Sequence, residues 1–107
     1  MGSVKDKLLA ACAVREEEVV VEGETLVVRE VGTLEFAEYG KLNKTDRVTA
    51  TGYLMSVCVL DGHGGKPLLT SEEARQMAGS ARVSMPIMAA IMKLSGFGDV
   101  EKEADAS

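Results

Sequence analysis

The sequence predicts an α+β fold, in which an N-terminal β-hairpin at about residues 18–31 packs against four or five helices. Two short runs of alternating apolar residues flank a glycine, which is typical of a hairpin. The apolar segments that follow are each preceded by a residue that can cap a helix. The length of 107 residues suits one compact core. We therefore expect one domain over residues 1–98 and a disordered acidic tail at 99–107.

A short helix is predicted at the N-terminus. Ser3 can accept a hydrogen bond from the first turn of a helix over Val4–Ala13, which would place Leu8, Leu9 and Cys12 on one side. The apolar stretch before Cys12 is shorter than the roughly 7–15 residues that a signal peptide needs. We therefore expect the protein to be cytoplasmic and not secreted.

The hairpin gives the clearest pattern in the chain. Glu18–Glu22 and Thr25–Arg29 flank Gly23-Glu24, and glycine at the first loop position favours a two-residue type II′ turn. One face of the hairpin would then be wholly apolar and would need a cover of helices or of another copy of the chain, because a lone hairpin is marginal in water. The predicted register pairs Val21 with Leu26, Val19 with Val28 and Glu18 with Arg29.

Two helices are predicted after the hairpin. Thr33 can cap a helix over about Leu34–Leu42, and either Thr45 or Asp46 can cap the next helix over Arg47–Leu60. β-Branched residues are frequent in this last segment, but its length favours a helix over a strand. Its buried stripe is predicted to comprise Val48, Leu54, Met55, Cys58 and Val59.

The strongest break in the sequence is the glycine-rich segment Asp61–Pro67. Thr70 and Glu73, three positions apart, then form a capping-box signature. We expect the helix that they begin to run to about Met77 and to end at Gly79.

The last predicted helix is apolar around much of its girth. Ser84 can cap it, and it would run over Met85–Ser95, with Pro86 in the first turn, where no backbone N–H is needed. Gly96 suits the position just after a helix end.

Composition excludes several classes of function. Seventeen acidic against twelve basic residues give a net charge of −5, which argues against nucleic acid and anionic membranes as partners. The longest uncharged apolar stretch, Val48–Leu60, is shorter than the roughly 20 residues that span a bilayer. Two cysteines and one histidine form neither a disulfide framework nor a zinc-binding spacing. We expect no metal and no cofactor, and two reduced thiols that are buried or half-buried.

No set of residues predicts catalysis. Gly62–Lys66 lacks the spacing of a phosphate-binding loop and is followed by proline instead of a helix, which predicts a flexible surface connection. His63 has no positioned nucleophile, because Cys58 is predicted to face the core. The adjacent acids Glu16–Glu18 are typical of a solvated turn. The sequence therefore predicts a protein that is not an enzyme.

Methionines form the most informative cluster. Three of them lie at helical spacing on the last helix, whose other flank, Ile87, Ile91 and Leu94, suffices to anchor it. Two apolar flanks and the apolar hairpin face exceed what one small chain can bury, and this predicts self-association. Methionine is flexible and is frequent on surfaces that bind varied apolar partners. The hypothesised interaction surface comprises Met77, Met85, Met88, Met92, Val19, Val21, Leu26 and Val28.

Nearly the whole chain resembles the tail assembly chaperones of long-tailed bacteriophages. The best pieces of the resemblance are the turn Asp61–Leu68, with the pattern Asp-Gly-x-Gly-x-Lys-Pro-Leu, and the closing Leu94–Gly96. The helix at Lys5–Ala11 and the hairpin ending at Val28–Val31 also fit.

The resemblance implies a non-enzymatic protein, absent from the mature virion, that coats the tape measure protein before the tail tube polymerises. It further implies that a programmed frameshift yields a longer product that recruits tail tube subunits. An adaptable apolar surface with an acidic exterior would keep a long, helical and aggregation-prone tape measure soluble in the host cytoplasm. Such a gene would be found in a phage or a prophage.

An alternative is a small acidic regulatory or adaptor protein of the antitoxin or anti-repressor type, acting through protein–protein interaction. A basic helix-turn-helix would favour that alternative, and no helix rich in lysine and arginine is predicted.

Overall fold

A computed structural model describes residues 3–97 of the chain. It contains five helices and a three-stranded antiparallel sheet in the order β1-β2-β3, which confirms the predicted α+β fold. The tail expected at 99–107 lies outside the described residues. The elements are α1 Val4–Ala11, β1 Glu16–Val21, β2 Glu24–Arg29, α2 Thr33–Asn43, α3 Arg47–Cys58, β3 Val59–Leu60, α4 Ser71–Ala78 and α5 Ala81–Leu94.

The hairpin turn differs from the predicted one. Glu22 and Gly23 form it, and both have positive φ, 50° and 79°, as a type I′ turn requires. The predicted turn, which began one residue later, is therefore wrong. Val19 lies opposite Leu26 instead of Val28, a shift of two residues. Because side chains alternate with a period of two, this shift leaves every residue on its predicted face.

Arg29 has a different partner from the one predicted. It lies opposite Glu16 in the sheet instead of Glu18, and its guanidinium donates two hydrogen bonds to Glu35, at 3.0 and 2.7 Å. Glu35 also accepts the backbone N–H of Gly32 at 3.0 Å, so Gly32, and not Thr33, is the residue that precedes α2 as its cap. One carboxylate therefore joins the end of β2 to the first turn of α2.

This ion pair gives stability a pH dependence. The hydrogen bonds from Arg29 hold the pKa of Glu35 below its ordinary value. A carboxyl group whose pKa is lower in the folded than in the unfolded state stabilises the fold at pH values above its unfolded-state pKa. This contribution is lost as the pH falls through the folded-state pKa. We expect Glu35→Gln to be destabilising at neutral pH and nearly neutral at strongly acidic pH. Urea denaturation at both pH values checks this, and Glu38→Gln on the same helix is the matched control. An equal loss at both pH values would contradict it.

The third strand was not predicted. Asp46 is one of the two residues predicted to cap α3. Its side chain accepts the N–H groups of Val48 and Thr49 at 3.0 and 3.2 Å. The helix ends at Cys58, however, and Val59–Leu60 continues as β3, paired with β2. A strand of two residues is too short for any periodic pattern to predict. It forms because these residues pair with the edge of β2.

The last helix begins earlier than predicted. Ser80 precedes α5, which places Pro86 inside the helix instead of in its first turn. Proline cannot donate the hydrogen bond that the carbonyl of Arg82 would accept. Arg82 lies at the exposed end of the helix, where water can hydrate that carbonyl. The capping box of Thr70 and Glu73 at the start of α4 is confirmed.

The core lies between α5, α3 and the inner face of the hairpin. The largest fully buried side chains include Leu54, Met55, Ile87, Ile91 and Val28. Leu54, Met55 and Cys58 of the stripe predicted for α3 are buried on that helix, whereas Val59 is buried as part of β3. Val48, at the other end of α3 from β3, is 40 % exposed because it lies beside an open groove.

The two motifs that carry the resemblance both have structural roles. The hydroxyl of Ser95 accepts the N–H of Val31 at 2.9 Å and donates to the carbonyl of Ile91, so it joins the end of α5 to the chain after β2. The turn after β3 is closed by the N–H of Asp61, which donates to the carbonyl of Lys66 at 2.8 Å.

Candidate interaction surface

An open groove of about 440 Å³ lies where α2, α3, the end of α4 and α5 meet. We call it the methionine groove, because Met85 and Met88 are the largest side chains that α5 contributes to its lining. Tyr39 of α2 and Val48 of α3 lie among its other apolar residues. The full lining comprises Tyr39, Arg47, Val48, Thr51, Ala78, Gly79, Ala81, Ser84, Met85 and Met88.

The two flanks of α5 explain why the groove stays apolar. Ile87 and Ile91 are completely buried against the core, as expected for the anchoring flank. Met85, on the other flank, is 67 % exposed and Met88 is half-buried. Exposing an apolar side chain such as that of Met85 to water does not stabilise an isolated chain. The groove therefore offers apolar area that a partner could cover.

The other two methionines of the hypothesised surface lie outside the groove lining. Met77 is on α4, next to the groove residue Ala78, and is 37 % exposed. Met92 is half-buried and packs against the core. The structure thus brings two of the four methionines together at one concave site.

The hairpin residues of the hypothesised surface belong to the core. Val21 and Val28 are buried, and Val19 and Leu26 are half-buried. Both strands of the hairpin contact α5, so this helix provides the cover that the apolar face needs. The eight residues named from the sequence therefore do not form one continuous exposed surface.

Charge around the groove is sparse. Arg47 is the one charged side chain among the lining residues given above. Nearby, Arg75 lies 3.7 Å from Asp46, the residue that caps α3. An apolar floor with a cation at its rim suits an apolar helix whose flank carries acidic residues.

Sequence reasoning missed two sets of apolar residues that the chain leaves exposed or half-buried. Tyr39 and Val48 of the groove come from separate helices, and no local pattern marks them as neighbours. The second set lies on α1, which buries no residue and leaves Val4 75 % exposed and Leu8 and Leu9 each 62 % exposed. The helical spacing of these residues was visible in the sequence, but it did not indicate whether the chain covers them.

The acidic run before the hairpin is part of the sheet and not a solvated turn. Glu16 accepts the N–H of Gly64 at 2.9 Å and lies 3.0 Å from Nδ1 of His63. Glu18 lies 3.4 Å from Nε2 of the same ring. The pKa of His63 is raised because of its hydrogen bond to Glu16. The segment predicted to be a free connection is therefore attached to β1.

The two thiols differ in their surroundings. Cys58 is buried, and burial raises its pKa to about 12, so it is a neutral thiol and a poor nucleophile at physiological pH. Cys12 is exposed and follows α1, a helix with no buried residue, so the expectation that it is at least half-buried is wrong.

Within residues 3–97, no three histidine, cysteine or acidic side chains are grouped so that they could hold a metal ion. Over the same range, no helix combines the length and the apolar character needed to cross a membrane.

Comparison with protein-family models gives no match, and no curated protein matches in sequence. Among solved structures, the tail assembly chaperone of bacteriophage HK97 matches with a TM-score of 0.62 and 22 % sequence identity. The match covers 82 % of this chain and 90 % of that one. The resemblance noted in the sequence is thus confirmed at the level of the fold. The chain is similar in fold, over most of its length, to the bacteriophage HK97 tail assembly chaperone.

Proposed function

We propose that this protein is a phage tail assembly chaperone that binds the tape measure protein in the host cytoplasm and is absent from the mature virion. The methionine groove is the observation that carries the proposal, and the fold supports it through its similarity to a solved tail assembly chaperone. In this function the protein acts by binding and not by catalysis.

The groove suits a helical partner of variable sequence. Met85 and Met88 can change rotamer to fit different apolar side chains, while Tyr39 and Val48 supply firmer walls. A helix would place its apolar stripe in the groove and its polar face toward solvent. One such groove in each copy would let many copies bind along one long helical chain.

Self-association is part of the proposed function. Copies that contact one another could coat a tape measure continuously, and the net charge of −5 per chain would keep the coated complex from aggregating. Recruitment of tail tube subunits through a longer, frameshifted product rests on the resemblance to the phage chaperones.

The experiment introduces a charge into the groove. We expect Met85→Glu and Met88→Glu each to weaken binding of a helical tape measure fragment by about 2 kcal/mol or more, which is roughly 30-fold. The physical reason is that binding would bury an unpaired carboxylate in an apolar contact. Calorimetric titration of the fragment into each variant measures the effect, and circular dichroism checks that the variants are folded.

Ala89→Glu is the matched control, because this residue is exposed on the same helix and does not line the groove. Its binding should equal that of the unmodified protein. Folded groove variants that bind the fragment as tightly as the control would refute this role for the groove.

A further inference from the structure

We infer that the start of α5 binds one acidic side chain of the partner helix, a glutamate or an aspartate that flanks the apolar stripe of that helix. This inference rests on the proposed function, and it specifies the partner of the methionine groove. The carboxylate would accept hydrogen bonds from the backbone N–H of Ala81 and from the hydroxyl of Ser84. Both residues line the groove.

The first turn of α5 has N–H groups that the fold does not use. Ser80 precedes the helix, but its side chain makes no capping hydrogen bond, and the first turn contains no acidic residue. Over residues 3–97, no backbone carbonyl accepts the N–H of Ala81 or of Arg82. The other four helices each have an acidic residue at the cap or in the first turn. Together with the helix dipole, these N–H groups favour a negative charge at the start of α5.

Ser84 is an independent indication of a polar ligand. Its exposed fraction is only 6 %, yet its hydroxyl makes no hydrogen bond to the part of the chain that the structure describes. The carbonyl of Ser80, one turn before it, already accepts the N–H groups of Val83 and Ser84 at 3.2 and 2.9 Å. The hydroxyls of Ser56 and Ser95, by contrast, donate to carbonyls of their own helices at 2.6 and 2.7 Å. A buried hydroxyl without a partner is rare in a native fold, so we expect the ligand to supply one.

One carboxylate can reach both donors. The residues of α5 that line the groove share one face of the helix and comprise Ala81, Ser84, Met85 and Met88. Side chains on a helix lean toward its N-terminus, so the side chain of Ser84 extends back over the turn that contains Ala81. The acid would therefore bind at the N-terminal end of the two methionines, while the apolar stripe of the partner covers them.

The charges around this point favour an acid over a cation. Arg47, at the start of α3, lines the groove. The nearby acids already face cations of their own, because Asp46 lies 3.7 Å from Arg75 and Glu22 lies 3.8 Å from Arg82. A purely apolar partner would cover the hydroxyl of Ser84 without pairing it, which costs binding free energy. An acidic flank residue removes that cost.

The first experiment removes the hydroxyl and measures binding of the helical tape measure fragment to the whole protein by calorimetry. We expect Ser84→Ala to raise the dissociation constant about tenfold, because a hydrogen bond to a charged group is lost. Ser56→Ala is the matched control, since it removes a hydroxyl from α3 outside the groove lining and should leave binding unchanged.

Stability gives a readout that a merely structural hydroxyl would move in the opposite direction. Ser84→Ala should be at least as stable to urea as the unmodified protein, because the hydroxyl has no partner in the fold and alanine favours a helix. A clear loss of stability would show that the hydroxyl is paired within the domain, and would refute the site.

The second experiment changes the fragment and identifies the acid. Each glutamate or aspartate of the fragment is replaced in turn by glutamine or asparagine, and one replacement should weaken binding. That replacement should cost less when the protein already carries Ser84→Ala, because the two groups contact each other. The amide proton of Ala81 should move downfield when the original fragment binds, but not when the neutralised one does. Losses that multiply fully, or a fragment whose acids can all be neutralised without loss, would refute the site.

The outcomes separate this inference from the proposed function. Weakened binding by Met85→Glu together with unchanged binding by Ser84→Ala would support the groove and refute the acid site. A fragment that does not bind the unmodified protein would refute both.

Discussion

Replacing Ile91 with alanine is expected to lower the free energy of unfolding by about 2–5 kcal/mol. Ile91 is completely buried in the cluster that joins α5 to the hairpin and to α3, so truncation removes apolar contacts and leaves a cavity. The effect is large because several elements meet there and the surrounding side chains cannot all move to fill the space. Urea denaturation followed by circular dichroism measures the loss.

Met85→Ala is the matched control for this substitution, because it shortens an apolar side chain on the same helix at a position that is 67 % exposed. Its expected effect is within about 0.5 kcal/mol of zero, plus a small gain from the helix propensity of alanine. A comparable loss for both variants would show that the methionine flank of α5 is core. The groove described above would then have no free apolar surface.

Adding a single methyl group at Gly52 is expected to be destabilising by about 1–3 kcal/mol. A Cβ atom at this position would lie 2.9 Å from the Cα and 3.1 Å from the backbone nitrogen of Arg75. Both are backbone atoms of α4, so α3 and α4 would have to separate to relieve the overlap. Thermal and urea denaturation of Gly52→Ala measure the loss.

Gly40→Ala provides a control of the opposite sign. Gly40 lies inside α2, and a Cβ atom there would meet no atom within 4 Å. Alanine loses less backbone entropy than glycine when a helix forms, so this variant should gain about 0.5–1 kcal/mol. Equal stability of Gly52→Ala and Gly40→Ala would show that α3 does not approach α4 as closely as described.

Local patterns predicted the elements whose causes lie within a few residues. Thr70 and Glu73 form their capping box from side chains three positions apart, and the two isoleucines of α5 are buried because their helical spacing places them on one face. The inner face of the hairpin was also predicted correctly although the turn was not. The reason is that a two-residue shift of register preserves the alternation of side chains.

Features that depend on distant partners were not predicted. Arg29 pairs with Glu35 at the start of α2 and not with a glutamate of β1, because Glu35 accepts two hydrogen bonds from the guanidinium. β3 exists only because β2 has an edge to pair with. His63 and Glu16 are 47 positions apart in sequence and meet only when the sheet has formed.

The sequence by itself determined the fold class, the caps of α1 and α4 and the apolar faces, because these follow from composition and from short-range spacing. The tertiary structure alone decided which apolar residues are covered. It placed the hairpin face beneath α5 and left Met85, Val20 and the apolar residues of α1 exposed. The physical reason is that all these residues carry the same apolar signal, and burial depends on which other elements pack against them.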